Sequence, residues 1–282
     1  MRSVIKIKLN VKEYVEKGKI ELKEKFRSIT TPKLFIFTDN KDDVATQAYM
    51  KNKIKVGNEL GVDVEVKNIE TIDELNKIYF QCKDNMIPTI LQLPVKNKRL
   101  EYIYNLLYKD YDIDGFYSYS QIYNSNYNNI IPATPKGIIY YIEEWANNKG
   151  YKNTQNFKVT IIGRGKLVGK PLVTLLTPRV GTLYLLTSKS SLEDKKYAIK
   201  NSDVVILATG NTNSLDGIDD FGKNKIIIDT GIFRDENNKL CGELTKHIHK
   251  LDKSIDYTSV PGGVGLLTTL NLFKNVYNFY EI

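Results

Sequence analysis

The chain has 282 residues, of which 41% are hydrophobic, so it can build one large domain or two of ordinary size. No apolar run is long enough to span a bilayer, and the two cysteines, Cys82 and Cys241, lie too far apart in sequence to suggest a disulfide framework or a metal pair. These features argue against membrane-spanning and disulfide-rich secreted classes, and we expect a cytoplasmic protein.

The net charge of +8 invites a nucleic-acid interpretation. The lysines are scattered along predicted helix faces, however, and no dense basic block with interleaved aromatic residues stands out. Anionic small molecules account for the charge equally well. We therefore expect no nucleic-acid partner, and nucleic-acid binding stays an alternative that rests on charge alone.

The amino-terminal half alternates between predicted strands and helices. Apolar and lysine residues alternate over residues 4–9, which indicates a strand. After it the pattern predicts a helix over 11–26 interrupted at Gly18, a strand over 34–37, a helix over 46–60 ended by Gly61, a strand over 62–66, a helix over 72–83, a strand over 89–93 and a helix over 100–107. This alternation implies a parallel sheet. Residues 111–129 are rich in Tyr, Asn, Ser and Asp and are predicted to form a long loop.

A predicted helix over 135–145 leads to a glycine-rich turn that organises the second half. Residues 159–162 form a short, mostly β-branched run, which suits a buried parallel strand. Gly163, Gly165 and Gly169 follow, and an apolar series over 167–176 predicts a helix. Strand, glycine turn and helix form the first unit of a dinucleotide-binding fold, in which the helix N-terminus receives a pyrophosphate.

The next predicted strand, over 182–186, bears on which dinucleotide binds. An acidic residue that holds the ribose hydroxyl is expected near its end, but the chain has Thr187, Ser188 and Lys189 there. Hydroxyls and a cation, together with Arg164 in the glycine turn, suit a 2′-phosphate, so we expect NADP in preference to NAD. The alternative is that Arg164 and Lys189 are ordinary solvated cations.

The remaining pattern completes an α/β protein. It predicts a helix over 192–200, strands over 204–208 and 225–229, a second glycine turn at Pro261-Gly262-Gly263-Val264-Gly265, and a terminal helix to about residue 280. His247 and His249 have no further ligand cluster nearby in sequence, so we expect solvated surface histidines and no metal site.

Five motifs in order resemble those of the bifunctional methylenetetrahydrofolate dehydrogenase/methenyltetrahydrofolate cyclohydrolase family. They are Gln92-Leu93-Pro94, Asp112-Ile113-Asp114-Gly115-Phe116, Pro132-Ala133-Thr134-Pro135-Lys136-Gly137, Gly163-Arg164 with Val168-Gly169-Lys170-Pro171, and Val260-Pro261-Gly262-Gly263-Val264-Gly265. The resemblance implies two α/β domains with a cleft between them. These are a folate-binding catalytic domain over 1–134, joined by the C-terminal helix 265–282, and a Rossmann-type NADP-binding domain over 135–264. It also implies a homodimer.

The resemblance implies oxidation of 5,10-methylenetetrahydrofolate and hydrolysis of the methenyl product to 10-formyltetrahydrofolate. Thr46, Tyr49 and Lys53 share one face of a predicted helix, so an aromatic ring and an amine can meet a flat heterocycle. The resemblance implies a catalytic set of Lys53, Gln92, Tyr49 and Asp114. In the family the residue matching Lys53 is the central catalytic group, the one matching Gln92 holds it, the one matching Tyr49 lines the folate site, and the one matching Asp114 binds the pterin. The alternative for Lys53 is an ordinary surface lysine.

The wider site is assigned by the same resemblance. Substrate binding is expected from Tyr49, Gln92, Leu93, Pro94, Asp114, Pro261, Gly262 and Gly263. Cofactor binding is expected from Gly163, Arg164, Gly165, Val168, Gly169, Thr187, Ser188, Ala208, Thr209, Gly210, Gly231 and Ile232.

The cofactor half departs from the family pattern more than the folate half. Gly165 stands where the family usually has Ser, and Thr187 replaces a histidine, while Ser188 is kept. Two alternatives stay open. One is a monofunctional dehydrogenase that has lost the cyclohydrolase activity, and the other, motivated by these departures, is a non-catalytic dinucleotide-binding protein.

Overall fold

The computed structural model describes residues 11–115 and 130–281, which form two compact units. The amino-terminal unit comprises residues 13–133 and 269–281, and the central unit comprises residues 11–12 and 134–268. The strand predicted over 4–9 and most of the predicted loop, residues 116–129, lie outside the described residues.

The amino-terminal unit contains a three-stranded parallel sheet of order β2-β1-β3. Its elements are α1 (Val11–Phe26), β1 (Lys33–Thr38), α2 (Val44–Leu60), β2 (Asp63–Asn68), α3 (Ile72–Asn85), β3 (Thr89–Leu91) and α4 (Lys98–Leu107). The apolar side chains of β1 and β3 are buried. Since β2 and β3 pair with opposite sides of β1, the strand order reverses at β1, and ligands bind at the carboxyl ends of strands at such a point.

The central unit contains a five-stranded parallel sheet of order β10-β7-β6-β4-β5. Its elements are α5 (Ala133–Asn148), β4 (Lys158–Ile162), α6 (Gly169–Leu176), β5 (Thr182–Leu186), α7 (Leu192–Asn201), β6 (Val204–Leu207), β7 (Ile226–Asp229), the short pair β8 (Phe233–Arg234) and β9 (Leu240–Cys241), β10 (Asp256–Tyr257) and α8 (Val264–Tyr280). α8 continues into the amino-terminal unit from residue 269. The strand order reverses at β4, which ends at the glycine turn.

The predicted α/β class with parallel sheets is confirmed, and most predicted elements are present with small shifts at their ends. One local prediction is wrong: Gly18 does not interrupt α1, which is continuous. A Cβ at Gly18 would lie 2.8 Å from Leu270 Cδ2, so the glycine allows α8 to pack closely. The prediction for Gly61 is confirmed, because this residue ends α2 in the left-handed conformation with φ of 82°.

Candidate active site

The first cluster of predicted site residues lies at the carboxyl end of the three-stranded sheet. Lys53 is on α2, and its Nζ donates a hydrogen bond of 2.8 Å to Gln92 Oε1. Gln92 directly follows β3, and its backbone N–H donates to the carbonyl of Phe37 on β1 at 2.8 Å. Because two adjacent strands fix the Gln92 backbone, the amide oxygen is held at a defined point beside the lysine.

The Gln92 side chain is oriented at both ends. Its Nε2 donates to the carbonyl oxygen of Leu93 at 2.8 Å, so its Oε1 faces Lys53. The Leu93–Pro94 peptide bond is cis. The Asp39 carboxylate, at the end of β1, accepts from the backbone N–H groups of Lys96 and Asn97 at 2.9 and 2.7 Å. The segment that contains Leu93 and Pro94 is therefore tied to β1.

Asp114 is the third charged or polar member of this cluster. Its backbone N–H donates to Asp112 Oδ1 at 3.1 Å. The backbone of Asp112 forms an isolated parallel β-bridge with that of Thr89 in β3. Asp112 is thus a buried turn-stabilising residue, and Asp114 is the carboxylate that interacts electrostatically with Lys53. The structure brings Lys53, Gln92 and Asp114 together, although they are far apart in sequence.

Burial acts on both charged groups of the cluster. It lowers the pKa of the Lys53 ammonium from its ordinary value, and the nearby Asp114 carboxylate opposes that shift. Burial likewise raises the pKa of Asp114, opposed by Lys53. A lysine of this kind can lose its proton more readily than a solvated one, so it can serve as a base.

Thr46 and Tyr49 lie on the same helix, on the face that carries Lys53. The Tyr49 ring is 43% exposed and so offers an accessible aromatic face one turn before the lysine. The Thr46 backbone N–H donates to the Asp43 carboxylate, which caps α2. The Thr46 hydroxyl is buried, with no hydrogen-bond partner in the part of the chain that the structure describes.

The glycine turn after β4 has the close packing that a dinucleotide-binding turn requires. Gly163 has φ of 110°, and a Cβ there would lie 2.2 Å from the Ala208 carbonyl oxygen. A Cβ at Gly169 would lie 2.1 Å from the Gly163 carbonyl oxygen. Val168 precedes α6 and makes no side-chain cap. The turn therefore brings backbone close to the helix start, where N–H groups can meet a phosphate.

The predicted 2′-phosphate residues lie at the ends of adjacent strands. Arg164 follows β4, and Thr187 and Ser188 follow β5, which pairs with β4 in parallel. Arg164 and Ser188 are exposed, and the Thr187 hydroxyl accepts from the Lys189 backbone N–H at 3.1 Å. Gly165 is exposed, and a Cβ there would meet nothing within 4 Å. This donor set fits an anionic dinucleotide.

The other predicted cofactor residues follow β6 and β7. Ala208, Thr209 and Gly210 continue from β6, and Gly231 and exposed Ile232 continue from β7.

Sequence reasoning missed Glu243 here, although its carboxylate accepts from the backbone N–H groups of Thr209 and Gly210. The sequence offered no signal for it beyond the preceding Gly242, because a single acidic residue after a short strand is ordinarily solvated.

The second glycine turn precedes α8 and belongs to the central unit. The Val260–Pro261 peptide bond is cis, and Gly262 has φ of 96°. A Cβ at Gly263 would lie 2.3 Å from the carbonyl oxygen of Ser259, so a side chain cannot be accommodated there. Pro261 and Gly262 are exposed and Gly263 is buried.

The expectation of two surface histidines is wrong for His247. Its side chain is buried, with the ring centroid 6.3 Å from that of Phe221 and Nε2 3.8 Å from Asp216 Oδ1. The 3₁₀ helix Thr245–Lys250 turns His247 inward and leaves His249 exposed. Over residues 11–115 and 130–281, no three His, Cys, Asp or Glu side chains form a group that could hold a metal ion.

Comparisons with known proteins show the family to which the chain is similar. The sequence model of the tetrahydrofolate dehydrogenase/cyclohydrolase NAD(P)-binding domain matches residues 132–282. The bifunctional protein FolD of Mesoplasma florum is 33% identical over 97% of this chain and 96% of its own length.

Two solved structures resemble this chain over most of its length. The bifunctional FolD methylenetetrahydrofolate dehydrogenase/cyclohydrolase of Campylobacter jejuni is 26% identical, with a TM-score of 0.80 over 95% of this chain and 96% of that one. The Trypanosoma brucei enzyme, complexed with NADP cofactor and inhibitor, is 21% identical with a TM-score of 0.77 over 95% of each chain, a likeness of fold.

The match to the domain model and the full-length relative at 33% identity lead to one conclusion. This chain belongs to the tetrahydrofolate dehydrogenase/cyclohydrolase family.

Proposed function

We propose that the chain catalyses NADP-dependent oxidation of 5,10-methylenetetrahydrofolate to the 5,10-methenyl compound and hydrolysis of that compound to 10-formyltetrahydrofolate. The observation that carries the proposal is the Lys53–Gln92 hydrogen bond of 2.8 Å, beside Asp114 and one helical turn from Tyr49. Family membership supports the same reaction pair.

In the oxidation, the central unit binds and orients the cofactor. The Gly163–Gly169 turn and the start of α6 would hold the pyrophosphate, and Arg164 and Ser188 would hold the 2′-phosphate. When bound, NADP supplies the hydride acceptor for the one-carbon bridge. The protein itself positions the cofactor and supplies the electrostatic field around it. The placement of the backbone at the turn therefore governs the rate of this step.

In the hydrolysis, Lys53 activates the water that attacks the methenyl carbon. A protonated lysine would repel the cationic methenyl group, and the lowered pKa of Lys53 makes the neutral amine accessible. Gln92 Oε1 keeps the amine in place, Asp114 accepts hydrogen bonds from the pterin, and the exposed Tyr49 ring stacks on it. Leu93 and Pro94 complete the substrate contacts of the amino-terminal unit.

Replacement of Lys53 by Met tests the assignment. We expect loss of hydrolysis, followed as the absorbance of the methenyl compound, since the variant has no amine to act as a base. Lys51→Met is the matched control, because Lys51 is an exposed lysine on the same helix. Hydrolysis at the wild-type rate in Lys53→Met would refute the role of Lys53.

The wild-type enzyme separates the two alternatives. Oxidation without hydrolysis would identify a monofunctional dehydrogenase. NADP binding without turnover of any folate would identify a non-catalytic dinucleotide-binding protein. Oxidation assayed separately with NADP and NAD tests the cofactor preference, and a strong advantage for NAD would refute the role given to Arg164 and Ser188.

We also propose that the protein is a homodimer and works in the cytoplasm. Edge strand β5 carries the exposed side chain of Leu185, and Tyr197 on the adjacent helix α7 is 62% exposed. An apolar strand edge of this kind favours a second copy as its partner. Sedimentation of the wild type and of Leu185→Lys tests the dimer, which the charge is expected to weaken.

Neither a membrane nor a nucleic acid is a proposed partner. No helix in the described ranges combines the length and the apolar character that crossing a bilayer requires. Cys82 and Cys241 are both free, which suits a reducing compartment.

A further inference from the structure

Glu243 is a buried carboxylate, 1% exposed, that accepts four hydrogen bonds from the loop after β6. Its Oε1 accepts from the backbone N–H groups of Thr209 and Gly210, both at 2.9 Å. Its Oε2 accepts from the hydroxyls of Thr209 and Ser214, at 2.6 and 2.9 Å. All four donors are uncharged, so oriented dipoles stabilise the negative charge.

Asp229, the last residue of β7, fixes the backbone that carries Glu243. Its Oδ1 accepts from the backbone N–H groups of Gly231 and Glu243 at 2.9 and 3.2 Å, and its Oδ2 accepts from that of Leu244 at 2.8 Å. A single side chain thus ties the loop after β7 to the segment of Glu243.

Two glycines provide the space that the carboxylates occupy. A Cβ at Gly231 would lie 2.7 Å from Glu243 Cγ, and a Cβ at Gly242 would lie 2.1 Å from Asp229 Oδ2. Real Cβ atoms essentially never come so close to other atoms. Small residues at these positions are therefore required by the buried carboxylates.

The loops that Glu243 and Asp229 hold are those at the carboxyl ends of β6 and β7, and β6 lies beside β4 in the sheet. We infer that Glu243 is a positioning residue for the dinucleotide, because it fixes the backbone of Thr209 and Gly210. This inference rests on the proposed cofactor site in the central unit. It assigns Glu243 no contact with substrate and no part in proton transfer.

Removal of the Glu243 carboxylate leaves two backbone N–H groups and two hydroxyls without their acceptor. The loop then adopts other conformations, and NADP must select the competent one, which raises its dissociation constant. Hydrolysis at Lys53 uses none of these groups and is expected to keep its rate. The inference therefore predicts a selective loss.

Calorimetric titration of the full chain with NADP tests the inference directly. We expect Glu243→Ala to raise the dissociation constant by about 10- to 100-fold, the range for hydrogen bonds to a charged group. Glu243→Gln is expected to have a smaller effect, since its amide oxygen still accepts from both backbone N–H groups while its NH₂ meets hydroxyls that can rotate.

Asp256→Asn is the matched control, and thermal unfolding is measured on every variant. Asp256 is a buried carboxylate of the same unit that accepts from Trp145 Nε1 at 2.9 Å and pairs with Lys149 at 2.9 Å. Its replacement should lower stability and leave NADP affinity unchanged.

Wild-type affinity in both Glu243 variants, or an equal loss in Asp256→Asn, would overturn the inference. If Glu243→Ala does not fold, Glu243→Gln decides the question alone. A wild-type protein that binds NADP but turns over no folate would refute the proposed function, while the titration would still decide the role of Glu243.

Discussion

Lys53 and Gln92 are 39 residues apart in the chain, and a hydrogen bond of 2.8 Å joins their side chains. The amide is neutral, so it accepts from the ammonium without adding a charge that would hold the proton on the lysine. The neighbouring charge is that of Asp114, which opposes the effect of burial on the pKa of Lys53. The balance between burial and the Asp114 charge sets how readily Lys53 becomes a base.

Gln92→Glu should shift the pH dependence of hydrolysis. A carboxylate at the Gln92 position favours the charged amine, so the pKa of Lys53 rises and the rate increases only at higher pH. An opposite charge at this distance shifts a pKa by about 1–3 units. The measurement is hydrolysis of the methenyl compound across pH, with exposed Gln81→Glu as the control. A profile superimposable on that of the wild type would rule out Lys53 as the titrating base.

Asp114→Asn should shift the same profile in the opposite direction. The Asp114 carboxylate raises the pKa of Lys53 against the effect of burial, so its loss lets burial lower that pKa further. The rate should then reach its plateau at lower pH, while KM rises because the pterin loses an acceptor. An unchanged KM would show that Asp114 does not contact the pterin.

Two glycine variants should change cofactor binding in opposite directions. A side chain at Gly165 has open space, so Gly165→Ser can add a hydroxyl donor and should tighten NADP binding by roughly tenfold. Gly169→Ala puts a Cβ 2.1 Å from the Gly163 carbonyl oxygen and should weaken binding by displacing the turn. Titration measures both variants, and weaker binding in Gly165→Ser would contradict the proposed pyrophosphate position.

Asn275→Leu should destabilise the amino-terminal unit. The fully buried Asn275 on α8 donates through Nδ2 to the carbonyls of Ile113 and Ile131, at 3.0 and 2.9 Å. Loss of these two hydrogen bonds leaves two carbonyls unsatisfied, which lowers the free energy of unfolding by about 1–3 kcal/mol each. Urea unfolding measures the change, with Asn201→Leu as the control, since its bond to the Tyr197 carbonyl is exposed. Equal costs in the two variants would argue against this account.

Lys225 should make stability depend on pH. Its buried Nζ donates to the carbonyls of Ile199 and Lys200 at the end of α7, and burial lowers its pKa from 10.5 to about 8. Between these values the unfolded chain binds the proton and the folded chain does not, so stability rises with pH through that window. The gain relative to Lys225→Met is at most about 3 kcal/mol.

Urea unfolding of wild type and Lys225→Met at pH values on both sides of the window tests this prediction. Below it, both states carry the charge, and the folded state bears the full cost of burial. Subtraction of the Lys225→Met series removes the titration of all other groups. A difference that does not change with pH would exclude Lys225 as the source.

The sequence by itself determined the elements, the fold class and the two glycine turns. The spacing of apolar residues and the positions of glycines depend only on residues close in sequence. Residues 159–169 therefore predict a strand, a turn and a helix without reference to the rest of the chain. The resemblance added Lys53, Gln92 and Asp114 as candidates. Only the tertiary structure showed that these three side chains meet, because strand order decides which loops share an edge.

The predictions that failed concern residues whose surroundings are set by burial in the folded chain. Glu243 and His247 look like surface residues in the sequence, yet both are buried. Glu243 lies against the loops that follow β6 and β7, and His247 lies against Phe221. Gly18 looks like a helix break, yet Leu270 from the other end of the chain fills the space beside it. Exposure, pKa and close approach depend on atoms distant in sequence, so no local pattern could specify them.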